Sequence, residues 1–426
     1  MSYFFKNFKY RWLVLGMLFF ATTINYVDRF VLGILAPQLE KQIGWTEEQY
    51  SYIISAFQIA YGIGNVVMGY VIDRLGTRFG YVLTFVIWSI SNVFHAFARS
   101  WIHFAVARFS LGIGEAGNFP AAIKSVAEWF PKKERALATG LFNSGSQIGV
   151  ILASLAVPVI FLSYNWQAAF LVTGIFSFLW ILLWAIFYRK PEEFRHISKG
   201  ELSHILEDEK EEKPASNRIQ WTKVIKIKET WAIAMLKLMS DPVWWFYLFW
   251  GAKFLNKKFE IDIASISIPF VVIYATADVG GIFFGGLSSW FLKRGWSLNK
   301  ARKTTMLFCA LMVLPLVFIT HVNHFWLAIL ILTSAVAGHC GWAANVFTLV
   351  SDIFPKKVVG SVVGIGNTTS TTGAAIASFG IGLALSNAPL EGYIIPFTVA
   401  AFGYIVALGI FNMLVPEIKE ISTSKL

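Results

Sequence analysis

Four ionisable residues stand inside stretches that are otherwise apolar: the adjacent Asp28 and Arg29 in FFATTINYVDRFVLGILAP, and Arg108 and Glu115 in WIHFAVARFSLGIGEAG. A guanidinium offers a planar fork of donors matched to a carboxylate, so Arg29 and Arg108 are candidate ligands for an organic anion. A carboxyl group in a secluded site can take up and release a proton, which makes Asp28 and Glu115 candidate proton carriers. Adjacent helical residues project about 100° apart, so Asp28 and Arg29 cannot simply neutralise each other face to face. Asn25, one turn before Arg29, shares its face, and Tyr26 completes a polar ring. Arg108 and Glu115 are two turns apart and share a face, about 10 Å apart along the axis. Gln58 and Tyr61, one turn apart, and the cluster Asn143, Ser146 and Gln147 could hydrogen-bond hydroxyl groups. The alternative reading of all these residues is structural, as ion pairs and interhelical hydrogen bonds.

The elements that must hold them are membrane helices. Of 426 residues 56% are hydrophobic, 16% aromatic and 14% charged, with a mean hydropathy of +0.60. Spanning a bilayer takes about 20 apolar residues, and twelve such runs occur near 12–36, 51–71, 80–98, 101–122, 137–162, 166–187, 231–256, 262–291, 303–321, 324–349, 359–385 and 391–415. Ionisable residues at membrane depth cost about 2.5 to 3.5 kcal/mol each and usually face a water-filled path. The charge-rich interval 189–228 divides the chain into an N-terminal six-helix bundle, 1–188, a linker, and a C-terminal six-helix bundle, 229–426.

Basic residues gather on alternate connections: Arg74 and Arg78; Lys132, Lys133 and Arg135; the central interval; Lys293, Arg294, Lys300, Arg302 and Lys303; and Lys356 and Lys357. By the positive-inside rule both termini and the linker are cytoplasmic, in a multi-pass inner-membrane protein. The net charge of +11 is therefore a topology signal, and nucleic acid is not an expected partner. MSYFFKNFKYRW leads into the first run without a small-residue cleavage site, which predicts a retained helix. Cys309 and Cys340 lie in apolar runs, and no disulfide framework is expected. No phosphate-binding loop, zinc-spaced Cys/His cluster or nucleophile elbow occurs, so neither cofactor, metal nor enzymatic chemistry is expected.

The halves repeat each other. EWFPKKERALATG from Glu128 matches DIFPKKVVGSVVG from Asp352, an offset of 352 − 128 = 224 that also takes Asn143 to Asn367 and Gly149 to Gly373. Parallel duplication of six helices places a site at the interface of the halves.

GYVIDRLGTR, with Gly69, Asp73, Arg74, Gly76 and Arg78, resembles the signature loop of the major facilitator superfamily. There Gly69 is expected to permit close helix approach and Asp73 and Arg74 to pair or cap as the halves close. The second-half counterpart, GGLSSWFLKRG, has Trp290 where the acid would be. INYVDR at 24–29, LAP at 35–37, RFSLGIGEAGNFPA at 108–121 and FNSGSQIG at 142–149 resemble the anion:cation symporter family within it. WTEEQYSYIISAFQIAY and SDPVWWFYLFW are similar to the bacterial hexuronate transporter branch. The resemblance implies an all-α fold of twelve transmembrane helices in two bundles and proton-coupled import of a sugar-acid anion, most nearly a hexuronate, by alternating access. It implies a coupling role for Glu115, participation of Asp28 in transport, and substrate contacts from Asn367, Phe347 and Thr348. Another organic anion, such as an aldonate or dicarboxylate, or a transport-inactive sensor, are the alternatives. The expected partners are the anion, protons and the bilayer, with the chain acting as a monomer. Lys237 is expected to snorkel to one edge of the membrane and Lys253 to the other; Asp241, Asp278 and His339 are further charged or titratable residues at depth.

Overall fold

A computed structural model describes residues 9–194, 197–207 and 221–421, with the side chains of 136, 221, 222, 356 and 357 excepted. The basic pair Lys356 and Lys357, and positions 195–196 and 208–220 of the central interval, thus fall outside the side chains or residues described. The described residues are helical throughout their ordered elements, without a strand.

In chain order the helices are α1 Tyr10–Ile43, α2 Glu47–His95, α3 Trp101–Glu115, α4 Asn118–Trp129, α5 Lys132–Ser163, α6 Trp166–Phe187, α7 Lys199–Ile205, α8 Trp221–Ile225, α9 Lys228–Phe259, α10 Ser267–Lys293, α11 Leu298–Val313, α12 Phe325–Ile353, α13 Lys356–Asn387 and α14 Ile394–Leu414. A 3₁₀ stretch, Leu314–His321, extends α11. The twelve predicted runs fall largely on helix, the eighth beginning five positions before α10, at 262–266. Among the described residues, eight helices are long and apolar enough, by length and composition, to cross a membrane. Among the others, α9 is interrupted by Lys237, Asp241 and Lys253, and the fourth run is divided between α3 and α4.

Local chemistry explains the joints. Gly44 ends α1 in the left-handed region (φ 75°), and Thr46 with Gln49 forms a capping box at the start of α2. The second and third predicted runs are one helical stretch bent at Gly76, whose φ of 77° suits only a residue without a side chain. Gly69, expected to allow close packing, has open space where its Cβ would stand. The sharp turn in the signature loop is therefore the work of Gly76. At the α3–α4 break, a Cβ on Gly117 would lie 2.2 Å from Thr84, so the break lets the chain press on α2.

The repeat is visible in packing. A Cβ on Gly149 of α5 would lie 2.4 Å from the Thr23 carbonyl oxygen of α1, and one on Gly373 of α13 would lie 2.4 Å from Leu238 of α9. The two glycines related by the 224-residue offset thus seat equivalent helix pairs. α9 continues across an internal proline, Pro242. On the linker side, the buried Glu201 of α7 accepts from the Tyr10 and Arg11 amides, both at 3.1 Å, which docks α7 on the amino end of α1.

Counting passes, the amino end of α1 and the carboxyl end of α14 lie on one face, here the terminal face. Contacts between the N-terminal helices (α1–α6) and the C-terminal helices (α9–α14) gather toward the opposite face. Tyr50 Oη donates to the Phe249 carbonyl at 2.7 Å, Ser55 to the Ala375 carbonyl at 3.3 Å and Ser378 to Gln58 Oε1 at 2.8 Å. A Cβ on Gly33 would lie 2.3 Å from the Leu248 carbonyl oxygen, so α1 and α9 touch at backbone distance there.

Candidate functional site

Midway along these helices the four ionisable residues meet, with partners that spacing within one helix could not assign. Arg29 reaches across from α1 to α3, with Nε and Nη2 at 2.9 and 2.8 Å from Glu115 Oε2, while its Nη2 donates to Asn25 Oδ1 at 3.0 Å. Rings surround the guanidinium: Tyr26 at 4.7 Å, Tyr61 at 4.9 Å, Trp245 at 5.2 Å and Phe57 at 5.4 Å from its carbon to the ring centroid. Ring faces attract a desolvated cation, so the cage holds Arg29 without satisfying its hydrogen-bonding capacity. Trp245 belongs to the C-terminal helices, and the cage therefore straddles the seam between the two sets.

Arg108 shares a face of α3 with Glu115 but donates elsewhere. Its Nη1 donates to the Arg29 carbonyl at 3.2 Å, and the chain is fully buried beside Phe57 and Phe249. Its Nε and Nη2 have no protein partner, and neither do Glu115 Oε1, Asn25 Nδ2 or Gln147 Oε1. Buried polar atoms are rarely left unpaired, and several around one guanidinium mark a site built for a polar ligand.

Asp28 turns away from Arg29 into the N-terminal helices. It accepts from Trp88 Nε1 at 2.8 Å, Asn92 Nδ2 at 2.8 Å and Ser177 Oγ at 2.9 Å. Trp88 and Asn92 are one turn apart on α2, a spacing legible in sequence; their pairing with Asp28 is not.

The remaining expected residues divide. Tyr26 and Tyr61 are in the cage, Gln58 bonds across the seam to Ser378, and Gln147 Nε2 reaches Cys340 Sγ at 3.6 Å, also across it. Asn143 and its repeat mate Asn367 are both exposed. Phe347 is 50% exposed, with Lys237 Nζ 5.0 Å from its ring, and the Thr348 hydroxyl donates back to the Ala344 carbonyl of its own helix. Within the signature loop, Asp73 pairs with Lys124 at 2.8 Å, Arg74 lies over Tyr70, and Arg78 donates to the Ala185 carbonyl at 2.7 Å.

Lys237 and Lys253 of α9 both find carboxylates. Lys237 pairs with Asp241 at 2.7 Å, and the fully buried Lys253 pairs with Glu40 at 2.7 Å and Glu47 at 2.8 Å. His339 shares a hydrogen bond with Tyr404 Oη at 2.7 Å and stacks on Trp244, a packed environment; Asp278 is partly buried.

The sequence matches the family model described as Major Facilitator Superfamily over residues 18–378. It is 31% identical over 361 residues to the hexuronate transporter of Escherichia coli (strain K12), covering 83% of each chain. It is 35% identical over 285 residues to the galacturonate transporter of Dickeya chrysanthemi, covering 66% of this chain and 83% of that one. Among solved structures, a bacterial homolog of the human lysosomal transporter Spinster, inward-facing and unoccupied, superimposes with a TM-score of 0.78 at 19% identity over 95% of this chain and 97% of that one. A caged cation on the seam of two six-pass helix sets, in a chain with these relatives, belongs to a membrane transporter, and this chain is a member of the Major Facilitator Superfamily.

Proposed function

We propose that the chain imports a sugar-acid anion, most nearly a hexuronate, together with protons, by alternating access between the bundles 1–188 and 229–426 joined by the linker 189–228. The observation that carries this is the Arg29–Glu115 pair inside an aromatic cage on the seam. The relatives named for hexuronate and galacturonate support the substrate class.

The charges explain the coupling. Asp28, Arg29, Arg108 and Glu115 sum to zero, so an incoming anion leaves the site negative unless a proton enters with it. A proton on Glu115 releases Arg29, whose fork then takes the substrate carboxylate, and Arg108 steadies Arg29 through its backbone while offering two further donors. Asp28, held by three donors, keeps the site's charge balance and orients α1, with Glu115 as the main carrier. Asn25, Tyr26, Tyr61 and Gln147 read hydroxyls near the cage; Asn143, Asn367, Phe347 and Thr348 contact substrate on its way to the terminal face. Import of one negative charge against an inside-negative potential costs about 2.3 kcal/mol per 100 mV, which one proton cancels. With both termini cytoplasmic, the closed opposite face is periplasmic and the state described is inward-facing, in the inner membrane, with a monomer sufficient for the cycle.

Proteoliposome uptake tests the reading with labelled glucuronate, galacturonate, an aldonate and a dicarboxylate, with and without an imposed proton gradient. Accumulation of a hexuronate only under the gradient is expected, and Glu115→Gln should keep downhill exchange while losing accumulation. Gradient-independent uptake by the native chain defeats the coupling, and uptake of a dicarboxylate alone defeats the substrate class.

A further inference from the structure

Among the residues of α9 that meet the N-terminal helices is a row spaced by four positions. Trp245 faces Arg29, Phe249 faces Arg108, and Lys253 and Lys257 face Glu40 and Glu47. Followed toward the terminal face, this ridge passes through Asp241 and Lys237. A row spaced by four residues drifts about 40° per step, so Asp241 and Lys237 are turned about 40° and 80° from Trp245 and lie about 6 and 12 Å from it along the axis. Ser370 of α13, which holds Asp241, adjoins Thr371, whose methyl group lies 3.4 Å from where a Cβ on Gly62 of α2 would stand across the seam.

Lys237 and Asp241 form a built pair. Lys237 Nζ and the Ser370 hydroxyl of α13 both lie 2.7 Å from Asp241 Oδ2, and the Ser240 hydroxyl donates to Oδ1 at 3.1 Å. Gly366 leaves room for the lysine stem, since a Cβ there would lie 2.8 Å from Lys237 Cδ. The Lys237 head also lies over the exposed Phe347 ring. Two charges set into the hydrophobic depth of one helix are costly to keep for packing alone.

The pair carries no net charge, yet presents ammonium donors and carboxylate acceptors side by side. A hydroxyl group, both donor and acceptor, suits such a surface, whereas a second carboxylate placed beside Asp241 meets like charge. We propose that Lys237, Asp241 and Ser370 form a subsite that reads the uncharged hydroxylated end of the substrate whose carboxylate Arg29 holds, and that Asp241 rejects acids carrying a second carboxylate at that end. The inference rests on the sugar-acid reading and sharpens it: the substrate is a monocarboxylate.

D-Galacturonate and galactarate share a carbon skeleton and differ at the far end, a hemiacetal carbon in one and a carboxylate in the other. Equilibrium binding of each to the purified full-length chain in nanodiscs, at one pH and ionic strength, tests the subsite. The native chain should prefer galacturonate by about tenfold or more. The double variant Lys237→Gln with Asp241→Asn keeps the shapes and leaves no unpaired charge; it should bring the two affinities within about threefold while unliganded melting stays close to native. Ser370→Ala, which removes one donor to Asp241, should shift the ratio in the same direction by less. A ratio unchanged in the double variant, or a native preference for galactarate, overturns the subsite alone. A folded native chain that binds neither acid overturns the sugar-acid reading, and the subsite with it.

Discussion

The two ends of the seam use charge in opposite ways. At the opposite face Lys253 and Lys257 of α9 bridge to Glu40 of α1 and Glu47 of α2, so acids of one helix set bind bases of the other. The Lys253 side chain is 0% exposed and also lies 4.5 Å from the Tyr50 ring. At the terminal face the described ion pairs stay within their own set. Asp73 pairs with Lys124, at 74% and 30% exposure, and Arg302 pairs with Asp352 at 2.7 Å. Even the acids related by the internal repeat obey this rule: Glu128 accepts from Thr77 at 2.6 Å and from Tyr188, and its mate Asp352 accepts from Arg302. Bonds between sets choose a state, while bonds inside a set keep each bundle rigid whichever state is occupied.

Removing the central cation should break the contrast most sharply. Lys253→Met leaves Glu40 and Glu47 with Lys257 alone, and unpairing a buried charge costs about 3 to 5 kcal/mol. A cysteine placed at Ser55, in a chain with Cys309 and Cys340 replaced, should then react with a membrane-impermeant maleimide about two orders of magnitude faster. An unchanged rate would show that the face is held by packing instead of charge. Glu47→Gln keeps the pairing with Glu40 and should raise the same rate by roughly tenfold, in line with a loss of about 1 to 3 kcal/mol for one charged hydrogen bond.

Packing can be probed at the same face without touching a charge. Gly33→Ala drives a methyl group into the Leu248 carbonyl and should open the seam by a smaller factor, insensitive to salt. If it exceeds Lys253→Met, backbone contact and not the ion cluster dominates closure. The smallest effect belongs to the terminal face. Lys124→Gln breaks a largely exposed pair worth about 0 to 1 kcal/mol, and should leave both the labelling rate and the melting temperature within error of native. A large change in labelling would mean that the signature loop reports on the distant face even in this state.

Sequence made the helices, the repeat and the four central ionisable residues legible, because apolar length and buried charge are local properties. It did not reveal who pairs with whom. Spacing puts Arg108 and Glu115 on one face of α3, but which guanidinium Glu115 meets depends on how α1 crosses α3. Lys253 read as an end-of-helix lysine, since Glu40 and Glu47 lie more than two hundred positions earlier in the chain. Trp245 was visible only as part of an aromatic run; its place over Arg29 comes from the docking of α9 on α1. Gly69 and Gly76 stand in the same motif, and only backbone conformation separates the one that makes the bend from the one that does not.

Pro242 lies between Asp241 and Trp245 on α9, where its ring nitrogen has no proton to give the Leu238 carbonyl. Bending a helix is cheapest at such a missing rung. The ridge is therefore a jointed rod, with Lys237 and Asp241 on one arm and Trp245, Phe249, Lys253 and Lys257 on the other. A molecule held as proposed, between Arg29 and Asp241, would span this joint, and its length would set the angle between the two arms.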